Sequence, residues 1–361
     1  MEKKELQALQ TAIREKQLIW SAGETSVSAL SKEEEKSLLG LVPTEVELAG
    51  NEKAITSANS QPRGMMAIAA PAAIDWRNNG GDWTTPIKDQ KSCGSCVAFG
   101  TVATLEARVN IACKNPALDV DLSEAHLFYC GCGNCCSTGW GFQAALDFCK
   151  NTGVGKEADF PYIPGNQPCK TIPYYVKITA SSQVLSMADR KTVISGKGPV
   201  LAGMAVYADF FAYRSGVYRH TSSDLRGYHA VCVVGYSDAE NCWIVKNSWG
   251  TGWGENGWFK IAYGDSMIDT QFPFYDVTLI CPIDTCIQYK KPLAQVLMLA
   301  MRNLQLRRCL CYYVCRRVGI RPICAPTNLA VVRAVLAILQ KCPQYKAGFC
   351  KALACGITPW A

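Results

Sequence analysis

Residues 90–100 read QKSCGSCVAFG and carry the first chemical signal of the chain. Small residues run here into apolar residues at three- and four-residue steps, which predicts a helix from Val97 to about Cys113. A thiol at a helix N-terminus faces the positive end of the helix dipole, which favours the nucleophilic thiolate. Cys96 is therefore a candidate nucleophile. By itself, Cys-x-x-Cys also fits a redox pair, half of a metal site or a disulfide partner beside a spectator cysteine.

A nucleophilic cysteine needs a base and a group that orients the base, and the chain has three histidines. His126 lies on a short apolar helix capped by Ser123, where a structural role is expected. His220 lies in a polar loop and is expected to be solvated. His229 opens a β-branched run that ends in glycine, residues 228–236, which predicts a strand. His229 is therefore the candidate base.

A second strand is predicted over residues 242–250, CWIVKNSWG, after a polar turn. The resulting hairpin would bring His229 and Asn247 to the same end of a sheet. A side-chain amide can hold an imidazole in one tautomer and orientation, as the carboxylate does in serine enzymes. Cys96, His229 and Asn247 are thus candidates for one catalytic constellation.

Gln90, Cys-Gly-Ser-Cys, His-Ala-Val and Lys-Asn-Ser-Trp-Gly follow one another in that order. With this pattern the chain resembles the papain-like (cathepsin-like) cysteine peptidases, in which His and Asn follow the Cys by about 130–150 residues. Here His229 follows Cys96 by 133 residues and Asn247 follows it by 151. The resemblance covers residues 73–277 and implies an α+β, two-lobed fold with a helical lobe, a β-barrel-like lobe and a cleft between them.

The resemblance implies a role for each matched residue. Cys96 would be the nucleophile, His229 the acid/base and Asn247 the group that orients the imidazole, while Trp249 would shield that hydrogen bond. The Gln90 side chain and the Cys96 backbone N–H would form an oxyanion hole, in which each donor is worth about 2.7–4 kcal/mol. Cys96 and His229 would rest as a thiolate–imidazolium pair. The expected reaction is hydrolysis of polypeptide substrates through an acyl-enzyme.

The residues around the cleft depart from the family pattern at two positions. Most relatives have Trp directly after the nucleophile, where Val97 stands here and would change the packing. Gly139 matches a glycine of the wall that pairs with substrate backbone, whereas Trp140 replaces the next glycine and would narrow the cleft or add a stacking surface. The pocket for the second residue before the scissile bond would be lined by Gly203, Gly227 and Tyr228. Two glycines there indicate room for apolar or aromatic side chains.

Cysteine is unusually frequent, with 20 in 361 residues, which indicates an oxidising compartment. The run at 130–136, CGCGNCC, could bind zinc, but its ligands are too crowded for the usual spacing; no metal or other cofactor is expected. By resemblance, the disulfides would join Cys93 to Cys136 and Cys130 to Cys169. Nineteen cysteines remain beside the nucleophile, so at least one more is unpaired within a monomer, and Cys232 is the candidate for a buried free thiol.

The chain starts with MEKKEL, which is charged and lacks the apolar stretch of a signal peptide. A secreted or extracytoplasmic protein is nevertheless expected, with its signal already removed or with another route of export; we favour the first. No run reaches the roughly 18 uncharged apolar residues that a membrane span needs.

Residues 1–70 are expected to be a helical propeptide and linker. An amphipathic helix is predicted over residues 5–20, and Ser31 with Glu34 predicts a capped second helix. Residues 49–71 have the composition of an exposed linker. This arrangement looks like a short variant of the family's propeptide, which lies along the cleft in the direction opposite to substrate.

Two questions about this first unit stay open. The alternative to a propeptide is an accessory helical pair with no inhibitory role. Maturation by cleavage is expected near residues 63–71. The peptidase domain would then span residues 71–280.

Residues 281–361 form a third expected unit, a small disulfide-rich helical domain that the resemblance does not reach. They hold nine cysteines, and five Lys and seven Arg against Asp284 give a net charge of +11, which leaves −4 for the rest of the chain. Helices are predicted at 292–306 and 329–339. Arg clusters beside apolar helices indicate adhesion to an anionic membrane or cell-wall surface. The alternative is a disulfide-stapled extension packed on the peptidase; no nucleic-acid motif is present.

The function that these observations favour is an active cysteine endopeptidase made as a zymogen. One alternative is a non-catalytic binding protein in which the peptidase fold presents the basic tail. Another is acyl transfer to an amine, as in transpeptidases and amidases. The intact set of Gln90, Cys96, His229 and Asn247 argues against the non-catalytic alternative.

Overall fold

The computed structural model describes residues 1–61, 70–282, 290–315, 322–341 and 344–353. The chain divides into two compact units, Met1–Pro282 and Ile283–Ala361. The N-terminal segment thus belongs to the same compact unit as the region that resembles peptidases. Residues 63–69 of the predicted maturation region lie outside the described residues.

The helical lobe is built around α4 (Cys96–Ala112), which is buried over most of its length. Because apolar residues surround it on nearly every side, this helix lacks the polar face of a surface helix. α5 (Glu124–Gly131) and α6 (Phe142–Asn151) pack against it. Ser123 caps α5 by accepting a hydrogen bond from the backbone N–H of His126. His126 is buried, and its Nδ1 accepts from the Gly155 N–H, so its role is structural.

The sheet of the other lobe follows the order β1-β5-β8-β7-β6-β4-β9-β3, with β2 paired to β6. Its strands are β1 (Trp20–Ala22), β2 (Ala73–Asp75), β3 (Ile178–Val184), β4 (Val200–Tyr207), β5 (Tyr213–Tyr218), β6 (Leu225–Ser237), β7 (Cys242–Lys246), β8 (Trp258–Ala262) and β9 (Phe274–Leu279). α7 (Met187–Lys197) and a short 3-10 helix, Ala208–Ala212, precede β4 and β5. β6 is central, since β4 and β7 pair with it antiparallel on either side.

The N-terminal segment folds differently from the sequence-based prediction. α1 (Lys3–Glu15) ends before residue 20, and Trp20 instead begins β1, which extends the peptidase sheet by pairing with β5. α2 (Lys32–Ser37) has the predicted capping box of Ser31 and Glu34. The linker predicted from residue 49 is wrong as far as residue 60, because a third helix, α3 (Glu45–Ser60), occupies it.

α3 forms because its first turn is capped and because apolar residues on one of its faces are buried. Thr44 and Glu47 make a second capping box, which satisfies backbone donors at the helix start. Leu48 and Ile55 are buried. Asn59 accepts a hydrogen bond from the backbone of Met187, 2.8 Å away, which fixes the end of α3 to the peptidase.

Disulfides hold the first unit together. Those between described residues join Cys93 to Cys136, Cys113 to Cys281, Cys130 to Cys169 and Cys132 to Cys135. The crowded run at 130–136 is thus occupied by disulfides, and no group able to hold a metal ion occurs among the described residues. Cys232 is a buried free thiol, as the cysteine count indicates, and so are Cys149 and Cys242.

The C-terminal unit contains four described helices where the sequence predicts two. They are α8 (Lys290–Arg302), α9 (Leu304–Tyr313), α10 (Pro326–Lys341) and α11 (Gln344–Ala352). α9 occupies the first part of the region between the two predicted helices, and Leu306, Leu310 and Val314, which recur at four-residue steps, are buried. Disulfides join Cys309 to Cys324 and Cys315 to Cys350. Among the described residues, no helix is both long and apolar enough to cross a membrane.

Candidate active site

Cys96 is the first residue of α4 and is fully buried. The N-cap residue, Ser95, makes no side-chain cap, so the first turn keeps backbone donors near the thiol. The Cys93–Cys136 disulfide anchors the preceding turn, and Gly94 donates a backbone hydrogen bond to the Cys136 carbonyl at 2.8 Å. The thiol is thus held in place by the anchored turn before Cys96 and by the buried helix that begins at Cys96.

His229 lies in β6, and Asn247 directly follows β7, so the hairpin brings both to one end of the sheet. His229 Nε2 lies 2.7 Å from Asn247 Oδ1, which also accepts the Ser248 backbone N–H at 2.8 Å. Because this oxygen accepts, Nε2 carries the proton, and the lone pair remains on Nδ1. Among the described residues, the buried Nδ1 has no hydrogen-bond partner.

Trp249 covers the imidazole and its amide. Its ring centroid lies 4.9 Å from that of His229, and its ring stacks on Phe211 with centroids 5.2 Å apart. Only 1% of Trp249 is exposed. Exclusion of water strengthens the His229–Asn247 hydrogen bond, since the effective dielectric constant around it is low.

The Gln90 side chain is held in one orientation. Its Oε1 accepts from the hydroxyl of Ser248 at 2.7 Å, which leaves the amide N–H groups pointing the other way. Nε2 donates to the carbonyl of Cys93 at 2.9 Å and to the carbonyl of Leu38 at 3.0 Å. A peptide carbonyl from the N-terminal segment therefore occupies the donor that a developing oxyanion would use.

The chain that follows Leu38 runs directly over the thiol. The Gly40 N–H donates to Cys96 Sγ at 3.2 Å, and the Gly40 carbonyl accepts the Trp140 N–H at 2.7 Å. Leu41 N–H donates to the carbonyl of Tyr228 at 3.3 Å. The segment thus forms hydrogen bonds with Cys96 and Trp140 of the helical lobe and with Tyr228 of the β lobe, so it closes the cleft between the lobes.

Only glycine fits at position 40. A Cβ there would overlap the backbone carbonyl of Gly94, which cannot swing away as a flexible side chain would. Gly139 has φ +73°, and a Cβ on it would lie 2.5 Å from the Gly40 carbonyl oxygen. The backbone at Gly40 is thus packed closely against two backbone segments of the helical lobe.

The residues predicted to line the specificity pocket surround leucines of the N-terminal segment. A Cβ on Gly203 would lie 2.7 Å from Leu41 Cδ2 and 2.5 Å from Phe272 Cδ1. Tyr228 packs edge-on to Phe272, with ring centroids 5.8 Å apart. Gly227 faces Leu39. The pocket is therefore lined by apolar groups and filled by Leu41.

Trp140 does not narrow the cleft with its side chain, contrary to one interpretation of the sequence. Its indole turns into the helical lobe, where a Cβ on Gly131 would meet it at 2.6 Å and Phe128 packs edge-on at a centroid distance of 6.3 Å. It is 7% exposed. Gly131 has no side chain to compete for this space. Trp140 therefore faces the cleft with its backbone N–H rather than with its indole. Val97 is also completely buried, in the core of the helical lobe.

Burial controls the protonation of the covered pair. It raises the pKa of Cys96 to about 11, although backbone hydrogen bonds from Ala230 and Gly40 oppose the shift. It lowers the pKa of His229 to about 4, although the Asn247 hydrogen bond opposes the shift. While the segment covers the cleft, burial therefore favours the neutral thiol and the neutral imidazole over the predicted thiolate–imidazolium pair.

Sequence analysis missed three contributors to the site. Ser248 stands inside the recognised Lys-Asn-Ser-Trp-Gly run, but nothing in the run indicates that its hydroxyl orients Gln90. Phe272 belongs to the pocket through a loop that ends beside β9. Residues 38–41 enter the cleft, and the only local sign is that a capped helix, α2, ends just before them. His220 is exposed, as predicted, and its ring also stacks on Tyr207 with centroids 4.2 Å apart.

These features together define a class of protein. A buried thiol at a helix start, an imidazole oriented by an amide and an amide donor for an oxyanion make up the machinery of a cysteine hydrolase. The N-terminal segment closes its cleft, so the chain has the form of a zymogen.

The comparisons with known proteins agree with that class. Residues 70–274 match the family model described as papain family cysteine protease. The chain is similar to cysteine proteinase 2 of Entamoeba histolytica, with 36% identity over 246 residues, 65% of this chain and 73% of the relative. The chain belongs to the papain family of cysteine proteases.

Solved structures of precursors show the same fold. A digestive procathepsin L2 proteinase from the larval midgut of Tenebrio molitor superposes with a TM-score of 0.63 at 26% identity, over 76% of this chain and 89% of that chain. For procathepsin B S9 from Trypanosoma congolense the TM-score is also 0.63, at 24% identity, over 77% of this chain and 98% of that chain. Neither a non-catalytic binding protein nor an acyl-transfer enzyme is supported by these relatives.

Proposed function

We propose that the chain is the latent form of a cysteine endopeptidase that hydrolyses peptide bonds through a Cys96 acyl-enzyme. The observation that carries the proposal is that the chain's own peptide lies where a substrate would react. The Leu38 carbonyl accepts from Gln90 Nε2, the next peptides pass over Cys96, and Leu41 fills the apolar pocket.

The reaction would begin once residues 38–41 leave the cleft. His229 Nδ1 takes the proton of the Cys96 thiol, and the thiolate attacks the scissile carbonyl carbon. Gln90 Nε2 donates to the oxygen, which becomes negative in the tetrahedral intermediate. The C–N bond then breaks as the imidazolium gives its proton to the leaving amine. Attack of water on the thioester, with His229 again as the base, releases the acid product and restores the thiol.

The direction of the N-terminal segment in the cleft explains why the segment would inhibit the enzyme without being cleaved by it. Residues 38–41 run from the Gln90 donor towards the Leu41 pocket. A substrate with its apolar residue before the scissile bond would run from the pocket towards the Gln90 donor. The segment therefore places a carbonyl at the donor with its bonds in the opposite order, in line with the family's propeptides.

Leu41 also indicates the preferred substrate. Its side chain lies beside Gly203 and Phe272, which give the pocket an apolar wall. We therefore expect peptides with Leu, or an apolar side chain of similar size, as the second residue before the scissile bond. A basic residue there would bury its charge without a partner, at a cost of several kcal/mol.

The test is hydrolysis of a peptide with Leu at that position, by the chain after removal of its N-terminal segment. Mass spectrometry should find one product with a free carboxylate and one with a free amine, in equal amounts, and Cys96→Ala should make neither. Addition of a primary amine distinguishes acyl transfer, because an amide product would then replace the acid. Absence of the acid product from a folded, processed protein would overturn the proposal.

The disulfides and the basic C-terminal residues extend the proposal to location. We propose an extracytoplasmic protein, supported by at least six disulfides between described residues. We also propose that residues 281–361 hold it at an anionic lipid or cell-wall surface, supported by their net charge of +11. Binding to such a surface should weaken with salt, because exposed charges are screened.

A further inference from the structure

We propose that the exposed face of α8 inserts into an anionic lipid bilayer, so that the surface to which the C-terminal unit binds is a membrane. This inference rests on the surface association proposed above and specifies its partner. A polymer of the cell wall could satisfy the charges of this unit, but only a bilayer also offers an apolar phase to its exposed side chains.

The apolar side chains of α8 lie on two opposite faces. Leu293 and Ala300 are 5% and 0% exposed and pack in the core of the C-terminal unit, together with Leu306 of α9. On the other face, Met298 and Met301 are 60% and 61% exposed. α8 contacts both α9 and α11, and these exposed side chains remain uncovered by either, so the bundle itself does not explain the second face.

Four exposed large apolar side chains occur within residues 298–304. Met298, Leu299 and Met301 stand on the last turn and a half of α8, and Leu304, at the start of α9, is 58% exposed. Large exposed apolar patches are uncommon on the surface of a soluble domain unless they bind a partner. Methionine and leucine are flexible enough to enter a disordered acyl layer.

Cations border this stretch of the C-terminal unit. Lys291 and Arg302 are exposed at the two ends of α8. The described residues from 290 to 353 include no Asp or Glu. An amphipathic helix in the plane of a bilayer has this composition, with apolar groups in the acyl boundary and cations at the lipid headgroups.

The positive charge of the C-terminal unit also disfavours a second copy of this chain as the partner of the exposed face of α8. A second copy of this chain would bring two strongly basic faces together, and like charges at short distance repel each other. Each Lys or Arg at the surface of an anionic bilayer instead strengthens binding by about 1 kcal/mol, or about fivefold in affinity. The disulfides from Cys309 to Cys324 and from Cys315 to Cys350 brace α9 and α11, the two helices that α8 contacts.

The experiment uses the full chain with Cys96→Ser, which prevents self-digestion, and vesicles of phosphatidylcholine with and without phosphatidylserine. Sedimentation measures binding at low salt and at about 1 M salt, where the screening length falls to about 3 Å. The test variant is M298S/M301S/L304S. The control variant is A294S/Q295S, which changes exposed residues of the same helix without removing large apolar groups.

We expect the parent chain and A294S/Q295S to bind the anionic vesicles and to keep a residual affinity at high salt. M298S/M301S/L304S should bind at least tenfold more weakly at low salt and lose the residual binding. Equal binding by the test variant and the parent, or complete release of the parent by salt, would overturn insertion and leave association by charge intact. No binding of the parent to anionic vesicles at low salt would overturn both this inference and the membrane association beneath it. An unchanged thermal midpoint for each variant shows that the fold is retained.

Discussion

Gly40→Ala should weaken the closure of the cleft more than any other change of a single methyl group that the structure suggests. The new Cβ would overlap the carbonyl of Gly94, which belongs to the turn anchored by the Cys93–Cys136 disulfide. The segment must therefore move away from Cys96. The protein should remain folded, because the sheet and helices do not depend on residue 40.

The size of the effect follows from the hydrogen bonds that the shift would break. Gly40 itself donates to Cys96 Sγ at 3.2 Å and accepts from Trp140 at 2.7 Å, and the neighbouring Leu38 carbonyl accepts from Gln90 at 3.0 Å. At about 1 kcal/mol each, loss of two or three such bonds weakens closure by about 2–3 kcal/mol. The open fraction should then rise about 30- to 140-fold.

The assay is the rate at which an epoxide directed at active-site thiolates labels Cys96 in the unprocessed chain. Gly50→Ala is the matched control, because a Cβ at this position in α3 has no atom within 4 Å. Labelling of the Gly40 variant should exceed both the parent and the control by the factor above. Equal rates in all three folded proteins would refute the account of how residues 38–41 close the cleft.

Three further predictions concern the catalytic groups and the pocket. Ser248→Ala should lower kcat of the processed enzyme by about tenfold with little change in KM, because Gln90 loses its orienting partner while its amide remains; a change in KM alone would contradict this role. Burial lowers the pKa of His229 from 6.5 to about 4, so the closed form binds fewer protons than the open form in this window and loses stability as the pH falls through it. Hydrogen-exchange protection of residues 38–41 should therefore fall by up to about tenfold per pH unit in this range. Protection that does not change with pH would show that protonation of His229 is not linked to closure of the cleft. Gly203→Ala would place a Cβ 2.5 Å from Phe272, so kcat/KM for a peptide with Leu in this pocket should fall at least tenfold relative to one with Ala, whereas an equal loss for both peptides would indicate a general distortion.

The sequence was most informative where chemistry depends on short motifs. Cys96, His229 and Asn247 each occur in a local run whose secondary structure can be inferred, and the hairpin that joins β6 to β7 explains how two of them meet. The family and its two-lobed fold therefore follow from four short motifs, and the comparisons confirm both.

Features that depend on the rest of the fold were harder to predict. The direction of the Trp140 indole is decided by the space above Gly131, which lies nine residues earlier and on another element. The composition of residues 49–60 indicates a linker, but the capping box of Thr44 with Glu47 and the burial of Ile55 make it helical. The shift of Cys96 and His229 towards their neutral forms could not be inferred, because it arises from burial by a segment far away in sequence.

The central claim is that Cys96 is a catalytic thiol which residues 38–41 keep inaccessible. The most direct measurement is intact-mass spectrometry after treatment with the thiolate-directed epoxide, before and after incubation at mild acid, with Cys96→Ala as the control. The account predicts one adduct, on Cys96, and only in molecules that have lost the N-terminal segment. An adduct formed equally fast on the intact chain, or no adduct on folded and processed protein, would contradict it.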